Sequence, residues 1–355
     1  MKHPAVVASR QSLLNCDLTE ITSHYGDTWA DFRKARVFLT GCTGFVGAWL
    51  LESLLFANQR YHLGITVTVL TRNPRRFGQR APHLAFADPV TLLSGDIRMF
   101  SMPRRGSFTH YVHGAAVTST LVNGNSSRPV LDTATIGTQR VLEFARRSGG
   151  GKFLLLSSGA VYGPQRFGVS HVAEESSAPN EVQRLPSPYS EGKRISECLC
   201  VAYSDVNRLE VKIARSFSFL GPYLPLEGHF AAGNFMRDVM CGRQILIQGD
   251  GASRRSYLYP ADMAAWLLTI LARGQGGRTY NVGSECAVTI SQLAARIAKL
   301  LGQGHAQVRI LGRKTAGLGG RDYIPSTRRA RSELGLMELT GLSDAIMRTG
   351  RWLRI

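Results

Sequence analysis

Tyr189 and Lys193 stand four residues apart in Tyr189-Ser190-Glu191-Gly192-Lys193. On a helix that spacing puts both side chains on one face. A phenol ordinarily loses its proton near pH ~10. An ammonium beside it favours the phenolate and lowers that value, which makes the phenol usable as a general acid or base near neutrality. A hydroxyl partner is available in Ser158, within Leu155-Leu156-Ser157-Ser158-Gly159-Ala160-Val161-Tyr162-Gly163. It would hold a substrate oxygen while the phenol exchanges a proton with it. Tyr-x-x-x-Lys is common by chance, so these residues need elements that bring them together.

Those elements begin with residues 37–51, Val-Phe-Leu-Thr-Gly-Cys-Thr-Gly-Phe-Val-Gly-Ala-Trp-Leu-Leu. An apolar run meets Gly41, Gly44 and Gly47, and a helical pattern follows. The reading is strand, tight turn, helix start. Gly41 is free to take a turn conformation closed to residues with a Cβ. Gly44 lets a ligand approach the backbone, and Gly47 lets the helix pack close to the strand. The free N–H groups of the helix's first turn, at its positive end, suit a pyrophosphate. The spacing is G-x-x-G-x-x-G rather than the commoner G-x-G-x-x-G of dinucleotide sites. In a nicotinamide dinucleotide the cofactor carries the hydride, and its oxidised ring adds positive charge beside the phenol.

From Arg36 onward apolar runs alternate with helical patterns. Strands are expected at 37–40, 66–71, 91–94, 110–113, 153–157 and 211–216, with helices at 47–57, 136–147 and 189–204. That alternation implies a parallel sheet with helices on both faces and ligands beyond the carboxyl ends of its strands. After Gly221-Pro222 the rhythm loosens. A strand at 244–248, a helix at 262–272, a strand at 278–282 and a helix at 290–302 suggest a smaller lobe. The domains read as a helical extension over 1–35 with a short outer helix at 17–29, a dinucleotide-binding domain over 36–220, and a substrate lobe over 221–355. Strands or helices are free to interleave between the last two.

Composition narrows the class. The chain has 355 residues, 44% of them hydrophobic, enough for a sizeable core. No window approaches ~18 uncharged apolar residues, so no membrane partner is expected. Six scattered cysteines with no C-x-x-C pair fit reduced thiols and a cytoplasmic setting. The net charge of +18 comes from 43 Lys and Arg against 25 Asp and Glu. The positives fall in small groups rather than one long run, which argues against a nucleic-acid tail. No metal ligand set stands out.

These motifs resemble the extended short-chain dehydrogenase/reductases, and within them the nucleotide-sugar epimerase/dehydratase group. The likeness spans roughly residues 36–340. It implies a Rossmann-type doubly wound parallel sheet with a smaller C-terminal α/β lobe that binds the substrate. It implies catalysis by Ser158, Tyr189 and Lys193. Gly41, Thr43, Gly44, Phe45, Val46 and Gly47 would hold the dinucleotide, together with Arg72, Asp96, Ile97, Ala115, Ala116, Tyr189 and Lys193. A nucleotide sugar would be held by Ser158, Asn234, Arg255 and Arg321, with an Arg fork suited to paired phosphates. His113-Gly114-Ala115-Ala116, Arg215-x-Phe217, Gly249-Asp250-Gly251, Asp262 and Asn281-Val282-Gly283 are similar to segments of the same family. Helices 136–147 and 189–204 resemble those that pair in the family's homodimers, so a homodimer is expected.

Departures from the pattern shape the expected chemistry. Dehydratases of the family carry Asp-Glu directly after the catalytic hydroxyl residue, and decarboxylases a Glu two residues after it. Here those places hold Gly159 and Ala160. Hydride transfer remains: epimerisation through a transient ketone, or reduction of a keto-sugar. Dehydration or decarboxylation would need a displaced carboxylate such as Glu174, Glu175 or Glu191. A non-catalytic NADP-binding regulator is the other alternative. Ser218 stands where many relatives have a substrate-touching Asn. At the end of the second strand Arg72 takes or borders the place of the acidic residue that bonds the ribose of NAD. A guanidinium there suits a 2′-phosphate and tilts the expectation from NAD toward NADP. His229, Tyr162 and Tyr223 are weaker pocket candidates, and Arg328, Arg329 and Arg331 read as surface.

Overall fold

The computed structural model describes residues 4–103, 108–116, 127–165, 168–176, 187–204, 209–228, 230–302, 306–312 and 322–354, with the backbone alone for 4–9. The chain opens with α1 (Pro4–His24) and α2 (Gly26–Ala30), followed by β1 (Arg36–Thr40), α3 (Phe45–Tyr61) and β2 (Thr66–Thr71). Then come α4 (Pro74–Arg80), α5 (Pro82–Ala85), β3 (Val90–Ser94), β4 (His110–His113) and α6 (Arg128–Asp132). A π-turn over Thr133–Gly137 leads into α7 (Thr138–Arg147), β5 (Gly151–Ser158), α8 (Pro188–Ser204) and β6 (Leu209–Ser216).

The strands pair in parallel in the order β3-β2-β1-β4-β5-β6, and β9 (Thr279–Val282) closes the sheet as its seventh strand. Alternation along each strand feeds two cores. Val37 and Leu39 join one apolar cluster with α3, while Phe38 joins the other with α7. Leu154 and Leu155 part in the same way. Both faces are therefore covered, as a parallel sheet requires. The strand order reverses between β1 and β4, so the crevice beyond their carboxyl ends is the place for a ligand. The turn at Gly41 and the segment Gly114-Ala115-Ala116 both leave the sheet there.

The C-terminal part adds α9 (Ala231–Met240), β7 (Ile245–Ile247), β8 (Arg254–Ser256), α10 (Pro260–Arg273), β10 (Ala287–Thr289), α11 (Ile290–Leu301), β11 (Val308–Ile310), α12 (Arg328–Leu334) and α13 (Leu342–Arg354). β8 and β10 form an antiparallel pair, and β7 and β11 a parallel one. Helix α10 is buried along its whole length bar Arg273 and packs on α3, so it belongs to the core of the main sheet.

The N-terminal helix differs from the short outer helix expected at 17–29. It starts at Pro4, and Leu14, Leu18 and Ile21 are each at most 1% exposed. Their spacing makes one apolar face, which lies on α3, α10 and α13. Two buried carboxylates tie the junction. Asp17 accepts from the Tyr259 hydroxyl at 2.6 Å and from Arg348 Nη1 at 2.6 Å. Glu52 in α3 accepts from the Tyr223 hydroxyl at 2.7 Å and from Gln11 Nε2 at 3.3 Å, and lies 2.8 Å from His83 Nε2.

Candidate active site

Gly41 takes φ of +81°, and a Cβ there would lie 2.6 Å from the Gly114 backbone. A Cβ at Gly47 would lie 2.5 Å from Cys42 Cα. Together these positions let β1, the turn and α3 close tightly. At Gly44 a Cβ would meet only the Gly41 carbonyl oxygen at 3.4 Å, so that side of the turn is open. Gly44 caps α3 with no side-chain hydrogen bond. The first-turn amides of Phe45, Val46 and Gly47 thus face outward with no capping side chain, which fits a pyrophosphate. Arg80 reaches back to donate to the Thr43 carbonyl at 3.1 Å.

Beside this turn, Arg72 is exposed at the end of β2. Asp96 is held by Arg98 through Nε at 2.9 Å and Nη2 at 3.1 Å. The Arg98 hydrogen bond keeps the Asp96 carboxyl below its usual range. Ile97 is buried, and its side chain packs beside Gly137. Across the switch point, a narrow cleft is lined by Ala115, Ala116, Ala134, Tyr189 and Lys193. His113 forms its floor and was not among the expected site residues. Its Nδ1 lies 3.0 Å from Thr40 Oγ1 and its Nε2 lies 3.0 Å from Thr138 Oγ1. Burial pushes His113 down to about 3, so the ring is neutral.

Ser158, Tyr189 and Lys193 meet at the end of β5. Ser158 Oγ accepts from the Ala160 amide at 3.2 Å, and Tyr189 lines the adjoining cleft with Lys193. Helix α8 sits close to the π-turn because residue 192 is glycine: a Cβ there would fall 2.8 Å from Ala134 Cβ. Lys193 is buried and donates to the Leu156 carbonyl at 2.6 Å, with its Nζ 6.0 Å from the centre of the Tyr189 ring. Burial lowers Lys193 to about 8, opposed by Glu197.

The protein's own groups do not lower the tyrosine pKa as expected. Burial holds the Tyr189 phenol above its ordinary value, and the Ser158 hydroxyl pulls the other way. The ammonium is turned toward Leu156, so burial prevails.

A second layer holds this arrangement. Glu197, one turn beyond Lys193, accepts from the Ser157 hydroxyl at 2.5 Å and from Arg215 at 2.7 and 3.0 Å. The Arg215 guanidinium lies 4.6 Å from the Tyr162 ring centre, and the Tyr162 hydroxyl donates to Asn281 Oδ1 at 2.8 Å. Tyr162 is therefore a core residue, and Tyr223 is spent on Glu52. Arg329 is half-buried rather than on the surface, donating to the Thr279 carbonyl at 2.7 Å and pairing with Glu175. Asp262 caps nothing in the site; it accepts from the Leu339 and Thr340 amides, and burial raises it to about 7.

The three displaced carboxylates stay away from the centre. Glu174 accepts from the Asn281 amide, Glu175 pairs with Arg329, and Glu191 pairs with Arg194. Among the described residues no carboxylate is hydrogen-bonded to Ser158 or Tyr189. Gly159 is roofed by Phe217, whose ring atoms would lie 2.7 to 2.8 Å from a Cβ at that position.

Asn234 and Arg255 are carried by different elements, α9 and β8. Asn234, with its Nδ2 donating to the Gly228 carbonyl at 2.8 Å, lines a cavity of about 530 Å³ beside α9 and β7. Phe235, Leu246, Gln248 and Gly249 line it too. Arg255 lies in β8 with its guanidinium 5.8 Å from the ring centre of Tyr323. Arg321 and His229 lie outside the described residues, as do positions 177–186.

The family model for the NAD dependent epimerase/dehydratase family matches residues 37–283. The chain belongs to this family. A dTDP-glucose 4,6-dehydratase of Streptomyces niveus is 28% identical over 335 residues, covering 90% of this chain and 93% of that one. The structure of DesIV, a dTDP-glucose 4,6-dehydratase from Streptomyces venezuelae solved with NAD bound, is 26% identical with a TM-score of 0.75, covering 90% and 97%. The UDP-glucose 4-epimerase of Thermotoga maritima shares the fold at a TM-score of 0.75 and 21% identity, covering 90% and 98%. No helix of the described residues is long and apolar enough to cross a membrane, and no group of metal-ligating side chains occurs among them.

Proposed function

We propose that this member of the family transfers hydride at a carbinol or ketone of a nucleotide-activated sugar, either epimerising it through a transient ketone or reducing a keto-sugar. The observation that carries the reading is the junction of Ser158, Tyr189 and Lys193 beside an uncapped glycine turn, with Gly159 closed over by Phe217. The dinucleotide, when bound, would accept the hydride and return it in an epimerisation, or donate it to the ketone in a reduction. Ser158 holds the sugar oxygen, Tyr189 exchanges its proton, and Lys193 lies beneath with its charge. A sugar C–O bond elsewhere on the ring has no acid to expel it among the described residues.

The turn at Gly41, Thr43, Gly44, Phe45, Val46 and Gly47 would hold the pyrophosphate. NAD is the dinucleotide of the relative from Streptomyces venezuelae. Arg72 and Arg80 on the rim favour a 2′-phosphate as well, so NADP remains the finer proposal. The cavity beside Asn234 would take the nucleotide base, and Arg255 with Arg321 the diphosphate. A cytoplasmic homodimer completes the proposal. Its contact would be the outer face of α8, where Ile195 and Val201 are exposed.

The test is incubation with UDP- and dTDP-hexoses and their 4-keto forms, read by mass spectrometry and NMR. The proposal expects a product of unchanged mass, or one heavier by two hydrogens with NADPH consumed. Loss of water or of carbon dioxide from the substrate would replace it with the dehydratase or decarboxylase reading. Tight NADP binding with no turnover of any nucleotide sugar would favour a regulator.

A further inference from the structure

Four buried side chains form a row beneath the dinucleotide cleft. Thr40 at the end of β1, His113 at the end of β4, Thr138 at the start of α7 and Ser196 in α8 are each at most 2% exposed. The last three line the cleft that also holds Tyr189 and Lys193. Counting protons gives the row one direction. Ser196 Oγ lies 2.7 Å from the Ala134 carbonyl oxygen and 2.9 Å from that of Gly192. Carbonyls only accept, so the Ser196 proton is spent there and Ser196 accepts from Thr138 Oγ1 at 3.1 Å. With its own proton spent, Thr138 accepts from His113 Nε2 at 3.0 Å. The other end agrees. Thr40 Oγ1 accepts from the Ala115 amide at 3.2 Å and from the Gly114 amide at 3.1 Å, the latter shared with the Thr40 carbonyl. The Thr40 proton therefore goes to His113 Nδ1 at 3.0 Å. Both ends place the proton of the neutral ring on Nε2.

We propose that His113, fixed as the Nε2–H tautomer, is a positioning residue for the reaction: it ties the shelf of Gly114, Ala115 and Ala116 to helix α8, and so sets Tyr189 and Lys193 at their distance from the dinucleotide. The inference rests on the function proposed above and adds to it what places the catalytic helix. The tie lands where α8 meets the π-turn, a distortion that is common at functional sites. At Gly192 the helix packs against Ala134, and at Ser196, one turn on, it donates to the Ala134 carbonyl. Lys193 lies between those two contacts and Tyr189 one turn before it. The row ends on carbonyl oxygens, which have no proton to pass on, so it braces the site and relays nothing.

The experiment reads the tautomer and the rate separately. In nitrogen NMR of isotopically labelled histidines, the His113 signals are those lost in His113→Gln. They are expected to show a pyridine-type Nδ1 and a pyrrole-type Nε2. Rates are compared on a nucleotide sugar that the wild type turns over. Thr138→Val keeps the branched shape and removes the hydroxyl. It is expected to lower kcat about ten-fold, the worth of one hydrogen bond, with KM for the sugar within about two-fold. Thr138→Ser restores the hydroxyl and should recover most of the rate. Thr138→Val combined with Ser196→Ala should lose less than the product of the two single losses, because both cut one row. A His113 proton on Nδ1 overturns the inference alone. So does Thr138→Val at wild-type kcat, Thr138→Ser as slow as Thr138→Val, or a pair of losses that multiply in full. A wild type that turns over no nucleotide sugar overturns the functional proposal, and the positioning role with it, whichever tautomer is found.

Discussion

The ring of Phe217 occupies the space that a side chain at position 159 would need: a Cβ on Gly159 falls 2.7 Å from it. Phe217 is itself wedged against Tyr162 and Tyr323, so it has little room to yield. Gly159→Ala is expected to destabilise the protein by about 1–3 kcal/mol through overpacking. Gly159→Asp should cost more and bring no dehydratase activity, because its carboxylate has no open path toward the sugar. Urea unfolding measures the first effect, and product mass the second. A Gly159→Asp variant that folds normally and releases water from a nucleotide sugar would show that the Phe217 roof does not decide the chemistry.

Tyr189 and Lys193 should separate by what they spoil. Tyr189→Phe removes only the proton carrier, so turnover should fall by about 10²–10⁴ while dinucleotide affinity holds. Lys193→Met removes a buried cation whose partner is the Leu156 carbonyl. It should lower both turnover and dinucleotide affinity. Steady-state rates with fluorescence titration of NADH and NADPH distinguish the two, and the same titrations decide between the dinucleotides. Retained turnover in Tyr189→Phe would remove the phenol from the mechanism.

Much of this site was legible because it is local. The glycine turn, the Ser158 strand end and the Tyr189–Lys193 helix each fit within one strand–loop–helix unit, and their strands read as short apolar runs. What stayed hidden depends on distant pairing. Tyr323 reaches Ser158 across 165 positions, through an isolated bridge to β8. β8 itself is Arg-Arg-Ser, with no apolar signal. The first helix was a different case: Leu14, Leu18 and Ile21 carried the helical spacing, but polar residues between them hid how deep that face lies. The direction of the Tyr189 shift was missed because spacing alone does not say where an ammonium turns.

The N-terminal helix is fastened by charge as well as by its apolar face. Asp17 is 4% exposed and binds both Tyr259 and Arg348. Asp17→Ala leaves a buried hydroxyl and a half-buried guanidinium without it. Breaking such a pair costs about 3–5 kcal/mol when both groups are buried. Glu20 still holds Arg348 at 2.9 Å, so about 2–3 kcal/mol is expected here. Hydrogen exchange should show faster exchange in α1 and α13 together. Loosening of α1 alone would mean that the contact does not couple the two helices.

Two buried histidines give acid sensitivity. Burial lowers His113 to about 3 and His110 to about 4, against 6.5 when free. The unfolded chain therefore binds their protons first, and the stability they hold above pH 6.5 drains away as pH falls toward those lower values. Each contributes a slope of ~1.4 kcal/mol per pH unit in that window. Asp262, raised to about 7, works in the opposite sense: its neutral form is favoured by the fold, so stability from it is lost as pH rises through about 7. The net profile is therefore shallower than two histidines alone would give. A His113→Gln variant isolates one part, since Gln does not titrate but still offers hydrogen bonds to Thr40 and Thr138. Its stability deficit relative to wild type, read from urea unfolding, should shrink by about 2 kcal/mol between pH 6.5 and pH 5. A deficit that stays constant over that range would mean His113 is protonated in the fold and that Thr40 and Thr138 do not keep it neutral.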